Sequence, residues 1–476
     1  MDILYCSSEA LPFAGSGGLA DVAGSLPQSL CRKNQDCRIV MPLYGSIKQE
    51  LRDTMQFITN FTVPVAWRQQ YCGIFMSQWN GCTYYFIDNE YYFKRDNLYG
   101  YFDDAERFAF FSRAILEMLP RIDFHPDIIN ANDWQTALVP TYYYTMYSKD
   151  SWYSNIKCII TIHNIQYQGM YGWQVNNECV GIPEEYCYLL DMNGDVNFLK
   201  SAIETSVRVT TVSPSYVCEI RDPWFSHGLD SILNLRYYKL VGILNGIDVD
   251  SYNPQTDKNI YKHYSADNMK GKAENKKELQ KRLGLEVKKD APIVAMVTRL
   301  AGHKGLDMVR MGLDEIMQEN QDMQFVLLGS GEAQYEDFFR GMEQKYKGRL
   351  CSYIGFVPEL ARKIYAGADI FLMPSKAEPC GLSQMIALRY GTIPVVREVG
   401  GLRDSVKDSQ DGVGNGFTFR NYDTADMLNC LRRALGAYAD KKGWKILVER
   451  AMRCDNSWEK SAKEYINLYR ETLTWD

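Results

Sequence analysis

The chain has 476 residues, of which 46% are apolar and 24% charged, and its formal net charge is −6. This composition is typical of a soluble globular protein, and the acidic balance disfavours nucleic acid and anionic membranes as partners. No apolar run is long enough to span a bilayer, and residues 2–6 predict a strand instead of a signal peptide, so we expect a cytoplasmic protein. The 13 cysteines lack paired spacing, which indicates reduced thiols and no zinc site.

The first half of the chain alternates short apolar runs with polar or glycine-rich loops. Most of the runs are continuously apolar, which is typical of parallel strands covered on both faces. Residues 62–88 differ, because they predict antiparallel strands with a hairpin turn at Asn80-Gly81. The parallel strands are predicted at residues 3–6, 38–42, 127–130, 158–162, 209–212 and 241–244.

The second half repeats this alternation, with strands predicted at residues 293–297, 325–328, 352–354, 370–373 and 393–396. A helix is predicted at 383–390. The lysine- and glutamate-rich residues 270–289 predict a solvated helix, and residues 458–472 predict a final helix with one buried face. Gly-Gly-Leu-x-Asp occurs at 17–21 and again at 400–404, a weak internal repeat that is consistent with two Rossmann-like units.

The residues that best indicate chemistry follow two neighbouring predicted strands of the second half. Glu378 comes just after one strand, and Gly400-Gly401 come just after the next. In doubly wound sheets, ligands bind beyond the carboxyl ends of the strands. The alternative interpretation makes Glu378 a solvated loop carboxylate and the glycines ordinary turns.

The stretch 374–404 resembles the donor site of bacterial glycogen synthases and plant starch synthases, because an acidic residue, Pro-Cys-Gly-Leu and a later Gly-Gly-Leu follow one another at fixed spacing. The resemblance covers nearly the whole chain. It implies an α/β fold of GT-B type, with two Rossmann-like domains facing across a central cleft. It also implies an acceptor-side domain at 1–245, a donor nucleotide domain at 246–456, and a helix at 457–476 that crosses back to the first domain.

The activity implied by the resemblance is transfer of glucose from ADP-glucose to the non-reducing end of an α-1,4-glucan such as glycogen, with retention of configuration. Glu378 is then the key acid, which touches the donor glucose. The anion forming on the leaving group needs cationic side chains, and the resemblance assigns Arg299 and Lys304 to the donor phosphates. Phe356 occupies an aromatic position, usually Tyr, that stacks on the adenine.

The remaining site residues are also assigned by resemblance. His163, in Thr-Ile-His-Asn, faces the donor sugar. Further donor contacts fall on Gly17, Gly18, Asp21, Asn245, Cys380, Gly381, Leu382, Gly400 and Gly401. Acceptor contacts fall on Tyr99, Asp103, Asp133, Trp134 and Tyr167. No metal or other cofactor is expected beside the co-substrate ADP-glucose, and Asp248-Val-Asp250 is interpreted as structural.

The chain departs from the family in its first glycine-rich loop. The family reads Lys-x-Gly-Gly-Leu, whereas here Gly15 stands in place of the lysine. We expect Ser16 to replace it in part with one neutral hydrogen bond, and a Gly15→Lys substitution to raise kcat/KM unless the loop needs glycine. Two alternatives stay open: a weak or inactive paralogue that binds glucan, and a retaining transferase that uses UDP-glucose.

Overall fold

The computed structural model describes residues 1–475, which form two compact units. The first unit contains residues 1–243 and the C-terminal segment from Trp458, and the second contains Leu244–Ser457. The chain therefore leaves the first unit two residues before the predicted boundary at 245 and returns to it one residue after the predicted boundary at 457.

The first unit is built on a largely parallel sheet. Its strands are β1 (Asp2–Cys6), β2 (Asp36–Pro42), β3 (Gln56–Val65), β4 (Arg68–Trp79), β5 (Cys82–Asp88), β6 (Ile128–Asn132), β7 (Lys157–Ile162), β8 (Met170–Tyr171), β9 (Asp191–Met192), β10 (Asp195–Asn197), β11 (Arg208–Thr211) and β12 (Leu240–Gly242). Within the described residues, nine of them form one sheet in the order β12-β11-β7-β6-β1-β2-β5-β4-β3, and three form the sheet β8-β10-β9.

The antiparallel part of the large sheet is the pair of hairpins β3-β4 and β4-β5. Asn80 and Gly81 join the second hairpin with φ of 47° and 81°, which confirms the predicted turn, since a two-residue hairpin of this type needs both residues in the left-handed region. Strand β3 begins at Gln56, six residues earlier than predicted. Its first residues are mostly exposed on both faces, so the sequence there carries no apolar signal.

The helices of the first unit connect these strands. They are α1 (Gly18–Arg32), α2 (Gln49–Arg52), α3 (Glu90–Phe93), α4 (Asp104–Met118), α5 (Leu138–Tyr142), α6 (Phe198–Thr205), α7 (Pro214–Glu219) and α8 (Asp230–Leu235). The topological switch point, where the order in which strands are added reverses, lies between β1 and β6. Strand β1 has β2 on one side and β6 on the other. The loops that follow β1 and β6 therefore meet at one edge of the sheet.

The second unit holds an all-parallel sheet. Its strands are β13 (Ile293–Val297), β14 (Gln324–Gly329), β15 (Leu350–Ile354), β16 (Ile370–Met373), β17 (Ile393–Arg397) and β18 (Phe417–Phe419). In the described residues their order is β15-β14-β13-β16-β17-β18, the order of a Rossmann sheet. The switch point lies between β13 and β16. Strand β18 was not predicted, because its three residues, Phe-Thr-Phe, do not form a continuous apolar run.

The helices of the second unit cover this sheet, and the last helix of the chain belongs to the first unit. The helices of the second unit are α9 (Lys270–Arg282), α10 (Leu306–Glu319), α11 (Ala333–Lys345), α12 (Pro358–Gly367), α13 (Ser383–Arg389), α14 (Gly400–Ser405), α15 (Thr424–Ala439) and α16 (Lys441–Met452). The last helix of the chain is α17 (Trp458–Leu473), which packs against α1. Its Tyr469 hydroxyl donates to Asn130 Oδ1 on β6 at 2.9 Å. Among the residues described, no helix is both long and apolar enough to cross a membrane.

Helix α9 corrects the prediction of a solvated helix at 270–289, because two of its lysines are buried. Lys272 Nζ donates to the carbonyls of Ala366 and Tyr390 and to the Thr392 hydroxyl at 3.0–3.2 Å. Burial lowers the pKa of Lys272 to about 7. Lysine composition suggests solvation, but these acceptors come from distant parts of the chain and leave no trace in the local sequence.

Lys276 is the other buried lysine of α9. Its Nζ lies 2.7 Å from both Asp369 Oδ2 and the Tyr438 hydroxyl. The same carboxylate oxygen accepts from the Ile293 backbone N–H at 2.9 Å, at the start of β13. The ion pair therefore joins α9 to the first residue of β13, an inner strand of the sheet.

Lys276→Met is expected to lower the free energy of unfolding by about 3–5 kcal/mol, because it leaves the buried Asp369 carboxylate without its cation. Lys277→Met is the matched control on the same helix. Lys277 is half exposed and lies 3.9 Å from Glu274, so its loss is expected to cost about 0.5 kcal/mol or less. Urea unfolding at pH 7 measures both changes, and equal midpoints for the two variants would contradict the burial argument.

Candidate active site

At the switch point of the second unit, a carboxylate and an ammonium group meet. Lys304 ends a short 3-10 turn after β13, and Glu378 lies in the loop after β16. Lys304 Nζ donates to Glu378 Oε2 at 2.7 Å, and the Ser375 hydroxyl donates to the same oxygen at 3.0 Å. Glu378 is 8% exposed, so the alternative of a solvated loop carboxylate is wrong.

The first turn of α14 holds the Glu378 loop in place. The Gly401 N–H donates to the carbonyl of Glu378 at 3.1 Å. A Cβ on Gly400 would lie 2.1 Å from that carbonyl oxygen, and a Cβ on Gly401 would lie 2.0 Å from the carbonyl oxygen of Cys380. Only glycine permits this approach of two backbone segments, so the second Gly-Gly-Leu positions the acid.

The loop between Glu378 and α13 is half-buried, and Cys380 is its buried residue. Gly381 adopts φ of 71°, and Leu382 leads directly into the helix. Burial raises the pKa of the Cys380 thiol to about 12, although a hydrogen bond with the Asn245 backbone opposes the shift. The Asn245 side chain is itself 5% exposed, and its Oδ1 has no hydrogen-bond partner among the residues that the structure covers. Asn245 and Cys380, both predicted donor contacts, therefore lie together.

Two further predicted donor residues of this unit are open to solvent. Arg299 follows β13 and is exposed, and no carboxylate in residues 1–475 forms an ion pair with it. Phe356 follows β15 and is 88% exposed. An exposed guanidinium and an exposed aromatic face at the carboxyl end of a parallel sheet are suited to a phosphate and a base, respectively.

In the first unit, Asp133 follows β6 at the corresponding switch point. Its φ of 56° is unusual for a residue other than glycine. Asp133 Oδ1 accepts from the backbone N–H groups of His163 and Asn164, at 2.7 and 3.3 Å. Burial raises the pKa of Asp133 to about 7, and these two hydrogen bonds only partly offset it. Asp133 thus fixes the loop that carries His163.

The protonation of His163 follows from its neighbours. Asn132 Nδ2 donates to the carbonyls of Cys6 and Asn130, which directs Asn132 Oδ1 towards the His163 ring at 2.9 Å from Nε2. Nε2 therefore carries the proton, and Nδ1 remains an acceptor. Desolvation lowers the pKa of His163 to about 3, so the ring is neutral at physiological pH.

The glycine-rich loop after β1 contains a carboxylate that the sequence analysis missed. Glu9 is 3% exposed, and its Oε2 accepts from the Ser16 backbone N–H at 2.6 Å and from the Ser16 hydroxyl at 2.8 Å. The Ser16 hydroxyl proton is therefore already used, which corrects the expectation that it replaces the missing lysine. The signal for Glu9 was a carboxylate between a strand end and a glycine loop.

The predicted donor residues of this loop lie at its exposed end. A Cβ on Gly17 or Gly18 would meet no atom within 4 Å, and Asp21 is exposed in the first turn of α1. Packing within the chain does not require glycine at these two positions. The bare backbone instead leaves room for a ligand to approach closely.

The predicted acceptor residues have different environments. Tyr167 is 56% exposed, whereas Trp134 is 9% exposed and packs on Phe108, 5.1 Å between ring centroids. The Tyr99 hydroxyl lies 2.7 Å from the Ser8 hydroxyl.

Asp103 is paired within the unit. Both of its oxygens accept from Arg95, each at 2.6 Å. Burial would raise the pKa of Asp103, but the hydrogen bonds and charge of Arg95 outweigh it and hold the pKa below its usual range. Its carboxylate has a cation already, so any sugar contact must use the remaining lone pairs.

Known proteins match the chain over its full length. Residues 2–235 match the family described as "Starch synthase catalytic domain", and residues 276–442 match "Glycosyl transferases group 1". A glycogen synthase of Bacillus cereus (strain Q1) is 49% identical over 477 residues, 99% of this chain and 100% of that protein. The chain belongs to the glycogen synthase and starch synthase family. A glycogen synthase of Clostridium beijerinckii (strain ATCC 51743 / NCIMB 8052) is 48% identical over 481 residues, 100% of both chains.

Solved structures agree with membership of the glycogen synthase and starch synthase family. The catalytic domain of starch synthase IV from Arabidopsis thaliana, bound to ADP and acarbose, matches with a TM-score of 0.90 at 35% identity, over 100% of this chain and 99% of that one. Sucrose-phosphate synthase from Thermosynechococcus elongatus shares the fold, with a TM-score of 0.60 at 18% identity over 99% and 98%. The predicted α/β fold of GT-B type is confirmed, and the chain is a hexosyltransferase.

Gly15, the position at which the resemblance implies a lysine, is restricted by packing. Its φ lies outside the left-handed region, but an added Cβ would lie 2.6 Å from Ala20 Cβ and 3.2 Å from Leu11 Cδ2. A lysine therefore fits only if α1 yields at Ala20. Packing against Ala20 and Leu11 therefore leaves too little room for a Cβ at position 15.

Gly15→Lys alone is thus expected to give no gain in kcat/KM for ADP-glucose, contrary to the expectation from sequence. The double variant Gly15→Lys/Ala20→Gly removes the clash and is expected to gain about tenfold, the effect of one charge-assisted hydrogen bond of ~1.5 kcal/mol. Initial rates with saturating glycogen measure this, with Ala20→Gly as the matched control. A gain in the single variant equal to that in the double would show that the packing does not matter.

Proposed function

We propose that the chain transfers α-D-glucose from ADP-glucose to the non-reducing end of an α-1,4-glucan, with retention of configuration. The observation that carries the proposal is the part-buried Lys304–Glu378 pair of 2.7 Å at the switch point of a Rossmann sheet. It stands in the stretch that resembles the donor site of the family. The full-length relatives named glycogen synthase and the starch synthase bound to ADP and acarbose support the same donor and acceptor classes.

The donor pyrophosphate is assigned to Arg299 and Lys304. Lys304 uses one of its three N–H groups on Glu378, which leaves two for phosphate oxygens. Arg299 is exposed and offers a bidentate fork. As the bond between C1 of the glucose and the β-phosphate oxygen breaks, negative charge grows on the phosphate, and both cations stabilise it.

The sugar is assigned to Glu378 and His163. Glu378 holds a fixed carboxylate, and in our proposal it accepts from the donor glucose and favours positive charge on the ring. The acceptor hydroxyl attacks C1 on the face that the pyrophosphate leaves, and its proton passes to the departing phosphate oxygen, so that configuration is retained. His163 Nδ1, neutral and unprotonated, is suited to accept from a sugar hydroxyl.

The other assigned residues complete the proposal. The further donor contacts are assigned to Gly17, Gly18, Asp21, Asn245, Cys380, Gly381, Leu382, Gly400 and Gly401. The acceptor glucan is assigned to Tyr99, Asp103, Asp133, Trp134 and Tyr167. Trp134 and Asp133 are both largely buried, so we propose that they act indirectly, with Asp133 fixing the loop that carries His163.

We also propose the setting in which this activity operates. The proposed domains are 1–245 for the acceptor side, 246–456 for the donor nucleotide, and 457–476 for the returning helix. Thirteen free thiols support a reducing, cytoplasmic location. The proposed reaction uses no metal, and full activity in EDTA is the expected result.

A donor panel tests the proposal. In a panel of ADP-, UDP- and GDP-glucose with glycogen, ADP-glucose is expected to be used far better than UDP-glucose, because Phe356 offers a wide exposed face for stacking on a purine. Phe356→Ala is expected to raise KM for ADP-glucose about tenfold, and Phe356→Tyr to be nearly neutral. Tyr353→Ala is the matched control, because Tyr353 is an exposed aromatic residue on β15, three residues before Phe356.

Two outcomes would overturn the assignment in different ways. Equal or better turnover with UDP-glucose would establish the alternative donor. No glucosyl transfer from any donor, with glycogen binding intact, would establish a glucan-binding paralogue, the reading that Gly15 favours.

A further inference from the structure

Two cysteines of the first unit lie in direct contact although they are far apart in sequence. Cys31 is in the last turn of α1, and Cys82 is the first residue of β5. Their Sγ atoms are 2.7 Å apart. A disulfide bond needs about 2.05 Å between the sulfurs, so a movement of under ~1 Å would join them.

The surroundings give the two thiols different characters. Cys31 Sγ also lies 3.2 Å from the carbonyl oxygen of Cys37 on β2. The Cys82 thiol donates to the Cys31 sulfur and lowers the pKa of Cys31. The pKa of Cys82 is raised, first by that hydrogen bond and then by burial. Cys31 is half-buried and Cys82 is 1% exposed. Cys31 is therefore the more accessible thiol and the one whose pKa is lowered, whereas Cys82 is buried beside it.

We propose that Cys31 and Cys82 form a reversible disulfide when the protein meets a peroxide. The Cys31 thiolate attacks one peroxide oxygen, the O–O bond breaks, and Cys31 becomes a sulfenic acid while the leaving hydroxide takes a proton to form water. Cys82 then attacks the Cys31 sulfur, the S–O bond breaks, and a second water leaves with the Cys82 proton. Two thiols and one hydrogen peroxide give one disulfide and two waters.

The bond would tie the end of α1 to the sheet. It would close the chain from 31 to 82, which includes β2, α2 and the β3-β4 hairpin. Constraining a loop of this length in the unfolded state stabilises the folded unit. The active-site end of α1, at Gly18 and Asp21, lies about 20 Å away along a 15-residue helix, so the bond is expected to change stability and leave the chemistry intact.

The test treats the full chain with one equivalent of hydrogen peroxide, traps remaining thiols by alkylation, and maps the peptides by mass spectrometry. We expect a linked peptide joining Cys31 and Cys82, a thermal midpoint several degrees higher than that of the reduced protein, and reversal of both by dithiothreitol. Cys82→Ser is expected to leave Cys31 as an unlinked sulfenic acid. Cys218→Ser, which removes an exposed thiol elsewhere, is the matched control and is expected to link Cys31 to Cys82 as the wild type does.

Three results would overturn the proposal. One is equal alkylation of Cys31 and Cys82 before and after oxidation. Another is a link from Cys31 to Cys37, its other cysteine neighbour. The third is a link that survives in Cys82→Ser by way of a different cysteine. Because the wild-type peptide map is itself the readout, the test does not depend on the folding of any variant.

Discussion

Glu378→Gln is expected to lower kcat by about 10²–10³-fold, the effect of removing one preorganised electrostatic group from a transition state. The substitution keeps the shape of the side chain and still offers an oxygen to Lys304 and Ser375. What it removes is the negative charge that favours positive charge on the glucose ring. The change is therefore expected in kcat, with little change in KM for ADP-glucose.

The measurement is steady-state kinetics at matched thermal stability, with Glu378→Gln beside Glu378→Ala. The alanine variant also loses both hydrogen bonds of a buried residue, so its unfolding midpoint is expected to fall further. Near-wild-type kcat in the glutamine variant would remove Glu378 from the chemistry and leave it a structural partner of Lys304.

Lys304→Met is expected to lower kcat by a similar factor of about 10²–10³ and also to destabilise the second unit by about 3–5 kcal/mol. The first effect is the loss of a cation from the departing pyrophosphate. The second arises because the buried Glu378 carboxylate is left without its partner. If Lys304 bound only the phosphate, Lys304→Met would lower kcat without lowering the free energy of unfolding.

Two further variants separate the effects. Arg299→Ala removes an exposed cation, so it is expected to lower kcat with little change in stability. The double variant Lys304→Met/Glu378→Gln removes the buried charge as well as its partner, and we expect it to recover most of the lost stability but none of the activity. Additive losses of stability in the double variant would mean that the two residues do not act as a pair.

The sheet positions of Glu378 and Lys304 could be predicted because buried parallel strands appear in the sequence as apolar runs. Strands β13 and β16 were predicted to the residue, and these two strands place Lys304 and Glu378. The glycines after β17 were also found, since close backbone approach restricts the residue type and so leaves a mark in the sequence.

What could not be predicted depends on partners far away in the chain. The lysines of α9 look solvated until the acceptors around Lys272 and the carboxylate of Asp369 are in place. Ser375 and Glu9 were missed for a similar reason, because a single polar residue shows its role only through the atom it meets. The expected effect of a lysine at position 15 depends on its contact with Ala20, and no sequence motif predicts that contact.

The contact of Gly400 and Gly401 with the backbone of residues 378–380 limits how this site can diversify. The two segments are separate in sequence, yet a side chain added at either glycine would displace the backbone of residues 378–380. A short graft of the Glu378 loop into a relative would therefore bring mismatched surfaces together. Recombination that retains function must carry α13, β17 and both flanking loops as one cassette, from about residue 374 to residue 404. Donor preference in this lineage can thus change by exchange of the whole 374–404 block, or by point changes at exposed positions such as Phe356, but not by swapping the loop alone.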